Sequence, residues 1–316
     1  MQFGGMDKMV IVGPGAIGLY YGTKLLQSGL PVAWLASSGN ADWAQSGLTL
    51  HLRKGAGGEA KSLHFDNVQV TDDPHAMGPI DWLVITTKST GNAALGSRLK
   101  PMVEVGKTRL LTLQNGMGNA EWLHELVPQN PVMAGLCFVC ANRIAPGVVE
   151  NYHPGRVEIG SFEDRWPEDA IAACRLFENA GIKVNHAPKL LQALWRKLCW
   201  NIPFNGLSVA LGGLTTDKIL ADPAGKARVE GLMREVQQLA AVEGVAIDDA
   251  FLQSQVDVTY RMGAYRPSSL VDFEAGRPLE LEAIWGEPLQ RARQHGIDCP
   301  LLEQLYGKLS TADGHR

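Results

Sequence analysis

The sequence predicts an α/β protein in which a doubly wound parallel sheet is followed by an all-helical region. Met9–Val12 is a short apolar run that leads into a glycine-rich turn, as central parallel strands do. Further apolar runs of strand length recur as far as Val184, among them Val132–Val139, Val148–Tyr152 and Arg156–Ile159, and helical periods replace them from Leu190 onward. Because the pattern changes near residues 187–189, we expect two domains, 8–187 and 188–316.

The composition of the 316 residues is that of a globular protein. Hydrophobic residues make up 45% and charged residues 20%, which argues against disorder. A net charge of -4 does not favour nucleic acid or an anionic membrane surface as a partner. The sequence has no apolar run of about 18 residues, and Met1–Asp7 lacks the features of a secretory signal. We therefore expect a cytoplasmic protein that binds neither nucleic acid nor membranes.

The five cysteines are scattered and odd in number, so they do not form a recognisable disulfide framework. Cys137 and Cys140 have C-x-x-C spacing inside an apolar, strand-like stretch. Residues three apart on a strand point to opposite faces, and no second pair completes a zinc site. We expect these two thiols to be buried small hydrophobic groups and predict no metal site. A redox or metal role is the alternative.

A glycine motif stands between the first predicted strand and the first predicted helix. It reads Gly13-Pro14-Gly15-Ala16-Ile17-Gly18, the helix continues to about Ser28, and Pro31–Leu35 is the second strand. In a dinucleotide-binding turn, Gly13 would permit the tight turn, Gly15 the approach of a pyrophosphate, and Gly18 close packing of helix on strand. The helix N-terminus would hold the phosphates. The alternative is a glycine-rich turn in another kind of α/β protein.

The end of the second strand normally distinguishes the two nicotinamide cofactors. An acid there binds the ribose diol of NAD, and an arginine accepts the 2′-phosphate of NADP. This chain has Ala36-Ser37-Ser38 instead. The absence of an acid disfavours NAD(H). Ser37 and Ser38 could hydrogen-bond a phosphate without supplying charge, and Arg53 or Lys54 could fold over from the next segment. NAD(H) stays an alternative.

Two further strand ends carry polar side chains. Lys88 follows the predicted strand that begins at Asp81, and Asn115 follows the strand that begins at Leu110. Ligands of open α/β sheets bind at the carboxyl ends of strands, so both residues are candidates for binding. The alternatives are a solvated loop lysine and an asparagine of a simple glycine turn.

The helical region contains two more candidates. Lys197, Asn201 and Asn205 recur every four residues and so share one helical face, although Pro203 predicts a kink. Glu280 opens a helix that runs through Ile284, after a Gly-Arg-Pro break. The alternatives are a surface lysine, asparagines that satisfy the kink, and an acid that only complements the helix dipole.

In these residues the chain resembles the ketopantoate reductases (2-dehydropantoate 2-reductases) over nearly its whole length. The resemblance lies in the glycine motif and in four further segments. These are Thr87-Lys88, Gln114-Asn115-Gly116-Met117-Gly118, Trp195-Arg196-Lys197 with Asn201, and Ser269…Asp272…Gly276-Arg277-Pro278…Glu280. The last three, in this order, are more specific than the glycine motif, which many dehydrogenases share.

The resemblance implies a Rossmann domain, an all-helical domain and an active site between them. It implies NADPH-dependent reduction of 2-dehydropantoate to pantoate, with Lys197 as general acid and Glu280 on the reacting oxygen or supporting Lys197. Lys88 would help to bind the cofactor. The other residues that would hold substrate and cofactor are Asn115, Asn201, Asn205 and Ser269.

The sequence departs from the best-known members at Ala36-Ser37-Ser38, where the family often has an arginine, and around Pro203. These departures leave room for another 2-oxo acid as substrate. The alternatives are a 2-hydroxy acid or opine-type dehydrogenase, and a non-catalytic NADP-binding sensor. The apolar faces of a helical domain would allow a homodimer.

Overall fold

The computed structural model describes residues 7–53 and 60–314. They fold into two compact units. The first comprises residues up to Gln114 together with Asn119–Leu190, and the second comprises Asn115–Gly118 together with the chain from Leu191 onward. Nothing in the sequence indicated that Asn115–Gly118 groups with the helices. The domain limits 8–187 and 188–316 stay a prediction.

The first unit is built on one mixed sheet, to which the described residues contribute ten strands. The strands are β1 Met9–Val12, β2 Val32–Leu35, β3 Leu48–Arg53, β4 Ala60–Phe65, β5 Gln69–Thr71, β6 Trp82–Ile85, β7 Arg109–Thr112, β8 Val132–Ala145, β9 Val148–Ser161 and β10 Val184–His186. Their order is β4-β3-β9-β8-β7-β6-β1-β2-β5, with β10 beside β9. Six strands that are neighbours in the order β8-β7-β6-β1-β2-β5 run parallel to one another. This is a doubly wound order, which confirms the predicted fold class.

The β8–β9 pair differs from the prediction. The apolar stretch Val132–Val139 continues as β8 to Ala145, and two predicted strands, Val148–Tyr152 and Arg156–Ile159, are joined in β9. The two strands pair antiparallel, with register shifts between Phe138 and Ala145. These irregularities let the hairpin continue into polar sequence, where hydrophobic alternation no longer marks a strand.

Four helices complete the first unit: α1 Ala16–Gln27, α2 Asn92–Leu99, α3 Asn119–Leu126 and α4 Pro167–Asn179. Helix α1 lies close to the sheet because it carries glycine where it meets β2. A Cβ atom on Gly22 would lie 2.5 Å from the Trp34 ring, and Trp34 Nε1 donates a hydrogen bond to the Gly18 carbonyl at 3.1 Å. This contact holds the first turn of α1, which begins within the glycine motif, against β2.

The second unit is helical throughout its described secondary structure, as predicted. Its helices are α5 Leu190–Ala210, α6 Thr216–Ala221, α7 Pro223–Val242, α8 Asp249–Met262, α9 Ser268–Glu274, α10 Glu287–His295 and α11 Pro300–Gly314, with a π-helical turn at Glu282–Gly286. Helix α5 continues through Pro203, and the neighbouring Ile202 carbonyl accepts a hydrogen bond from Trp285 Nε1 at 3.1 Å. Its apolar face lies in a core that includes Trp195, Leu198 and Ile202.

A buried carboxylate caps the last helix. Glu235 on α7 is 8% exposed, and its two oxygens accept hydrogen bonds from the backbone N–H groups of Leu301 and Leu302, each at 2.8 Å. These donors belong to the first turn of α11, where no intrahelical acceptor exists. Glu235 therefore ties α7 to α11 and complements the positive end of the α11 dipole.

Replacing Glu235 by alanine should destabilise the protein by about 2–4 kcal/mol, because two buried N–H groups lose their acceptors. Glu235→Gln, which keeps one acceptor oxygen, should cost less. Urea unfolding followed by tryptophan fluorescence would measure both. Glu230→Ala is the matched control, since this residue is on the same helix and forms an exposed pair with Lys226. Equal midpoints for Glu235→Ala and Glu230→Ala would contradict the role of Glu235 as a cap.

Across the described part of the chain, none of the helices combines the length and the apolar character that crossing a bilayer requires.

Candidate active site

The glycine turn after β1 is shaped by contacts with the end of β6. Gly13 has a φ of +96°, and a Cβ atom there would lie 2.6 Å from Thr87 Cγ2. A Cβ atom on Gly18 would lie 2.2 Å from the Gly13 carbonyl oxygen. Packing within the first unit thus accounts for two of the three motif glycines.

Gly15 has a different reason to be glycine. A Cβ atom at this position would meet no atom within 4 Å, so no neighbour in the chain excludes a side chain. Gly15 is the N-cap of α1 and supplies no side-chain cap to the helix. The N–H groups of the first turn, those of Ala16, Ile17 and Gly18, therefore face open space. A group from outside the chain can come close to the backbone there. This arrangement fits a dinucleotide pyrophosphate.

The end of the second strand is polar and carries no charge of its own. Ala36 is buried and Ser37 is exposed, and Ser37 Oγ accepts a hydrogen bond from Asn40 Nδ2 at 2.9 Å. The Arg53 guanidinium binds Glu150 instead, and this hydrogen bond lowers the pKa of the Glu150 carboxyl. Lys54, the other cation considered from sequence, lies outside the described residues.

Two arginines that the sequence analysis missed contact this edge of the sheet. Arg98 on α2 donates from Nη2 to the Ala36 carbonyl at 3.0 Å and to the Asp72 carbonyl at 2.6 Å. Arg143 on β8 donates to the Pro14 carbonyl, within the glycine motif, at 3.3 Å. Neither follows a strand or a glycine turn in sequence, so no local signal pointed to them.

The loop after β6 carries Lys88, whose side chain is exposed. Its neighbour Thr87 is a hydrogen-bond partner of Gln114 Nε2 at 3.4 Å, and Gln114 also donates to Asn92 Oδ1 at 2.8 Å. Asn92 in turn donates to Asn119 Oδ1 at 3.1 Å. A chain of side-chain amides thus joins the ends of β6 and β7 to the starts of α2 and α3.

In the second unit, the structure brings Lys197, Asn115 and Glu280 together. Lys197 Nζ donates to Asn115 Oδ1 at 2.9 Å. Asn115 Nδ2 lies 3.5 Å from Glu280 Oε2, a long contact in which the amide points its donor at the carboxylate. Glu280 is buried and Lys197 is half-buried. One amide therefore orients an ammonium and a carboxylate whose residues are 83 positions apart in sequence.

Asn201 lies one helical turn after Lys197 on α5. It is 7% exposed, yet its amide makes no hydrogen bond to the described residues. The amide is not among the fully buried polar atoms that lack a partner, so it reaches solvent and can bind a group from outside. The predicted shared face of Lys197 and Asn201 therefore offers both a cation and an uncommitted amide.

Asn205 is committed in part to the fold. Its Oδ1 accepts hydrogen bonds from the Ser269 backbone N–H at 3.0 Å and from Ser268 Oγ at 3.3 Å, so it caps the start of α9. Helix α9 has Pro267 as its own N-cap residue, and this side chain cannot accept a hydrogen bond. Of the Asn205 amide, Nδ2 is the atom that a ligand can use, and Ser269 lies beside it.

Glu280 precedes the helical turns as predicted, but no sequence pattern indicated the π-helical turn that follows. The Glu280 carbonyl accepts from the Ile284 N–H at 3.1 Å, and Glu282–Gly286 then forms the π turn. The Met117 N–H donates to the Ala283 carbonyl at 2.8 Å, so this turn holds the Asn115–Gly118 segment. Single π turns often occur at functional sites.

The cysteine prediction is wrong for the C-x-x-C pair. Cys137 and Cys140 are half-buried, whereas Cys174, Cys199 and Cys299 are buried. The prediction of burial rested on the apolar stretch, which gives way to polar sequence at Cys140, where the strand register shifts. Among the residues that the structure describes, no group of three or more His, Cys, Asp or Glu side chains could hold a metal ion.

Family models match both parts of the chain. Residues 9–164 match "Ketopantoate reductase PanE/ApbA", and residues 189–313 match "Ketopantoate reductase PanE/ApbA C terminal". A 2-dehydropantoate 2-reductase from Nostoc sp. is 36% identical over 97% of this chain and 95% of its own length.

Solved structures show the same fold. A 2-dehydropantoate 2-reductase from Geobacter metallireducens has a TM-score of 0.89 and 35% identity, covering 96% of this chain and 99% of its own. D-mandelate dehydrogenase with NADH and anilino(oxo)acetate has a TM-score of 0.87 at 20% identity, covering 98% and 99%. The chain is an oxidoreductase that belongs to the ketopantoate reductase PanE/ApbA family.

Proposed function

We propose that the protein reduces 2-dehydropantoate to pantoate with NADPH. The observation that carries the proposal is the Lys197–Asn115–Glu280 cluster, in which an ammonium is held at 2.9 Å from an amide oxygen beside a buried carboxylate. Such a group can donate a proton to a carbonyl oxygen that gains negative charge. The 36% identical relative supports the choice of substrate.

The reaction converts the C2 carbonyl of the 2-oxo acid into a hydroxyl group. NADPH, when bound, supplies the hydride that this carbon receives. Lys197 Nζ stabilises the charge on the oxygen and delivers the proton that completes the hydroxyl. Asn115 holds Nζ in place through Oδ1, and Glu280 lies on the other side of the same amide.

The remaining polar side chains bind and orient the two molecules. Asn201, with its uncommitted amide, and Asn205 Nδ2 with Ser269 are the proposed ligands of the substrate carboxylate and hydroxyl groups. On the first unit, the proposed cofactor ligands are residues 13–18, Ser37 and Lys88, and on the second unit Asn115 is another. A homodimer stays a prediction.

The test is steady-state oxidation of NADPH and of NADH, each with 2-dehydropantoate and with a panel of other 2-oxo acids. We expect turnover with NADPH and 2-dehydropantoate to exceed every other combination. If only a different 2-oxo acid were turned over, the proposed substrate would be wrong but the proposed type of reaction would stand. Tight cofactor binding without turnover of any acid would contradict the proposed reaction and favour a cofactor sensor.

A further inference from the structure

The carboxyl ends of β2 and β5 form one corner of the first unit. The two strands are parallel neighbours, and the Ala36 N–H donates to the Thr71 carbonyl at 2.8 Å where they end. Ser37 and Asp72 are therefore the first residues beyond the two strands. In a doubly wound fold that binds a dinucleotide, the residue after the second strand faces the adenosine ribose.

Arg98 brings a positive charge to this corner from helix α2. Its two hydrogen bonds, to the carbonyls of Ala36 and Asp72, both use Nη2. The guanidinium thus lies one peptide unit from Ser37, and the N–H groups on Nε and Nη1 are available to another acceptor. Since Arg98 is half-buried, solvent and salt screen its charge less than that of an exposed arginine.

Asp72 brings the opposite charge to the same corner. Its Oδ2 accepts a hydrogen bond from the Gly39 N–H at 2.8 Å, which holds the loop that contains Ser37. A carboxylate near the ribose accepts hydrogen bonds from the diol of NAD(H) and repels the additional phosphate of NADP(H). The corner therefore contains a cation, Arg98, that favours NADP(H) and a carboxylate, Asp72, that favours NAD(H).

We propose that Arg98 is the cation that selects a 2′-phosphate, in place of an arginine on the second strand, and that Asp72 limits this selection. The inference rests on the proposed cofactor site. It assigns cofactor choice to Asp72, directly after β5, and Arg98 on α2, rather than to Ser37 and Ser38 alone. Arg98 supplies net attraction for the phosphate, because a guanidinium binds phosphate oxygens through charged hydrogen bonds.

Two adenosine nucleotides test this directly without catalysis. Adenosine 2′,5′-bisphosphate and adenosine 5′-monophosphate differ only in the 2′-phosphate, so the ratio of their dissociation constants isolates that group. Calorimetry on the full chain should show that the wild type prefers the bisphosphate. Arg98→Gln should reduce this preference about tenfold or more. Asp72→Asn, which keeps an acceptor for the Gly39 N–H, should increase it.

Two further variants distinguish the effect of the Arg98 charge from the effect of its hydrogen bonds within the corner. Arg98→Lys loses the guanidinium hydrogen bonds to the Ala36 and Asp72 carbonyls but keeps the charge, so it should retain part of the preference. Arg175→Gln on the exposed face of α4 removes the same charge elsewhere and should leave the ratio unchanged.

Three results would overturn the inference in distinguishable ways. An unchanged ratio in Arg98→Gln, with both nucleotides bound, would remove Arg98 from cofactor selection. Equal weakening of both nucleotides in Arg98→Gln and in Arg98→Lys would show that Arg98 only holds the corner together. If the wild type bound neither nucleotide, the proposed cofactor site itself would fail.

Discussion

Replacing Lys197 by alanine should lower kcat by about 10²–10⁴-fold, the usual contribution of a positioned general acid. The substitution removes the ammonium that Asn115 Oδ1 holds at 2.9 Å, beside the buried Glu280 carboxylate. Stopped-flow measurement of the hydride-transfer step would separate this effect from product release. Because the cofactor ligands proposed on the first unit are intact, NADPH affinity should change much less than kcat.

A second variant at this position distinguishes the two roles of the ammonium. Lys197→Arg keeps a positive charge, but a guanidinium does not give up its proton in proteins. It should recover the part of the lost rate that comes from charge stabilisation but not the part that comes from proton donation. Lys226→Ala, which removes an exposed lysine paired with Glu230, is the control. Full turnover by Lys197→Ala would exclude Lys197 as the acid.

Replacing Gly116 by alanine should destabilise the protein by about 3 kcal/mol or more and also reduce activity. Gly116 has a φ of +86°, and a Cβ atom there would lie 2.2 Å from the Ala283 carbonyl oxygen and 2.4 Å from its carbon. Both are backbone atoms of the π turn, so the clash can be relieved only if the Asn115–Gly118 segment moves. Asn115 is the adjacent residue, and its displacement would release Lys197.

Gly118 provides a matched comparison within the same segment. It has a φ of +82°, but its Cβ position lies 3.6 Å from the Glu287 side chain, an ordinary contact. Gly118→Ala should therefore cost only the backbone penalty of about 1–2 kcal/mol. Thermal unfolding and kcat of the two variants would be measured together. Equal losses in both would mean that the collision with Ala283 is relieved at no cost.

Much of the first unit is predictable because its signals are local. A buried four-residue strand, a glycine turn and an amphipathic helix follow one another within about twenty residues of sequence, and the structure places them so. Lys197 and Asn201 were likewise predicted to share a face, because helical periodicity depends on spacing alone. The structure adds the burial of Asn201.

Contacts between distant residues were not predictable in this way. Asn205 caps α9 from 64 residues away, and Glu235 caps α11 from 66. Arg98 reaches Ala36 over 62 residues. An asparagine, a glutamate and an arginine within helices carry no sequence signal of such partners, since the partner depends on how the helices pack. For the same reason the sequence showed Asn115 only as the end of a strand.

The grouping of Asn115–Gly118 with the helices has a consequence for dissecting the protein. A contiguous fragment that begins at Leu191 contains Lys197 and Glu280 but omits Asn115, the residue that binds both. It also leaves the Ala283 carbonyl without the Met117 N–H. The helical half is therefore not a transferable module. Grafting it onto another nucleotide-binding partner would require a four-residue insert with a matching asparagine and two glycines of positive φ.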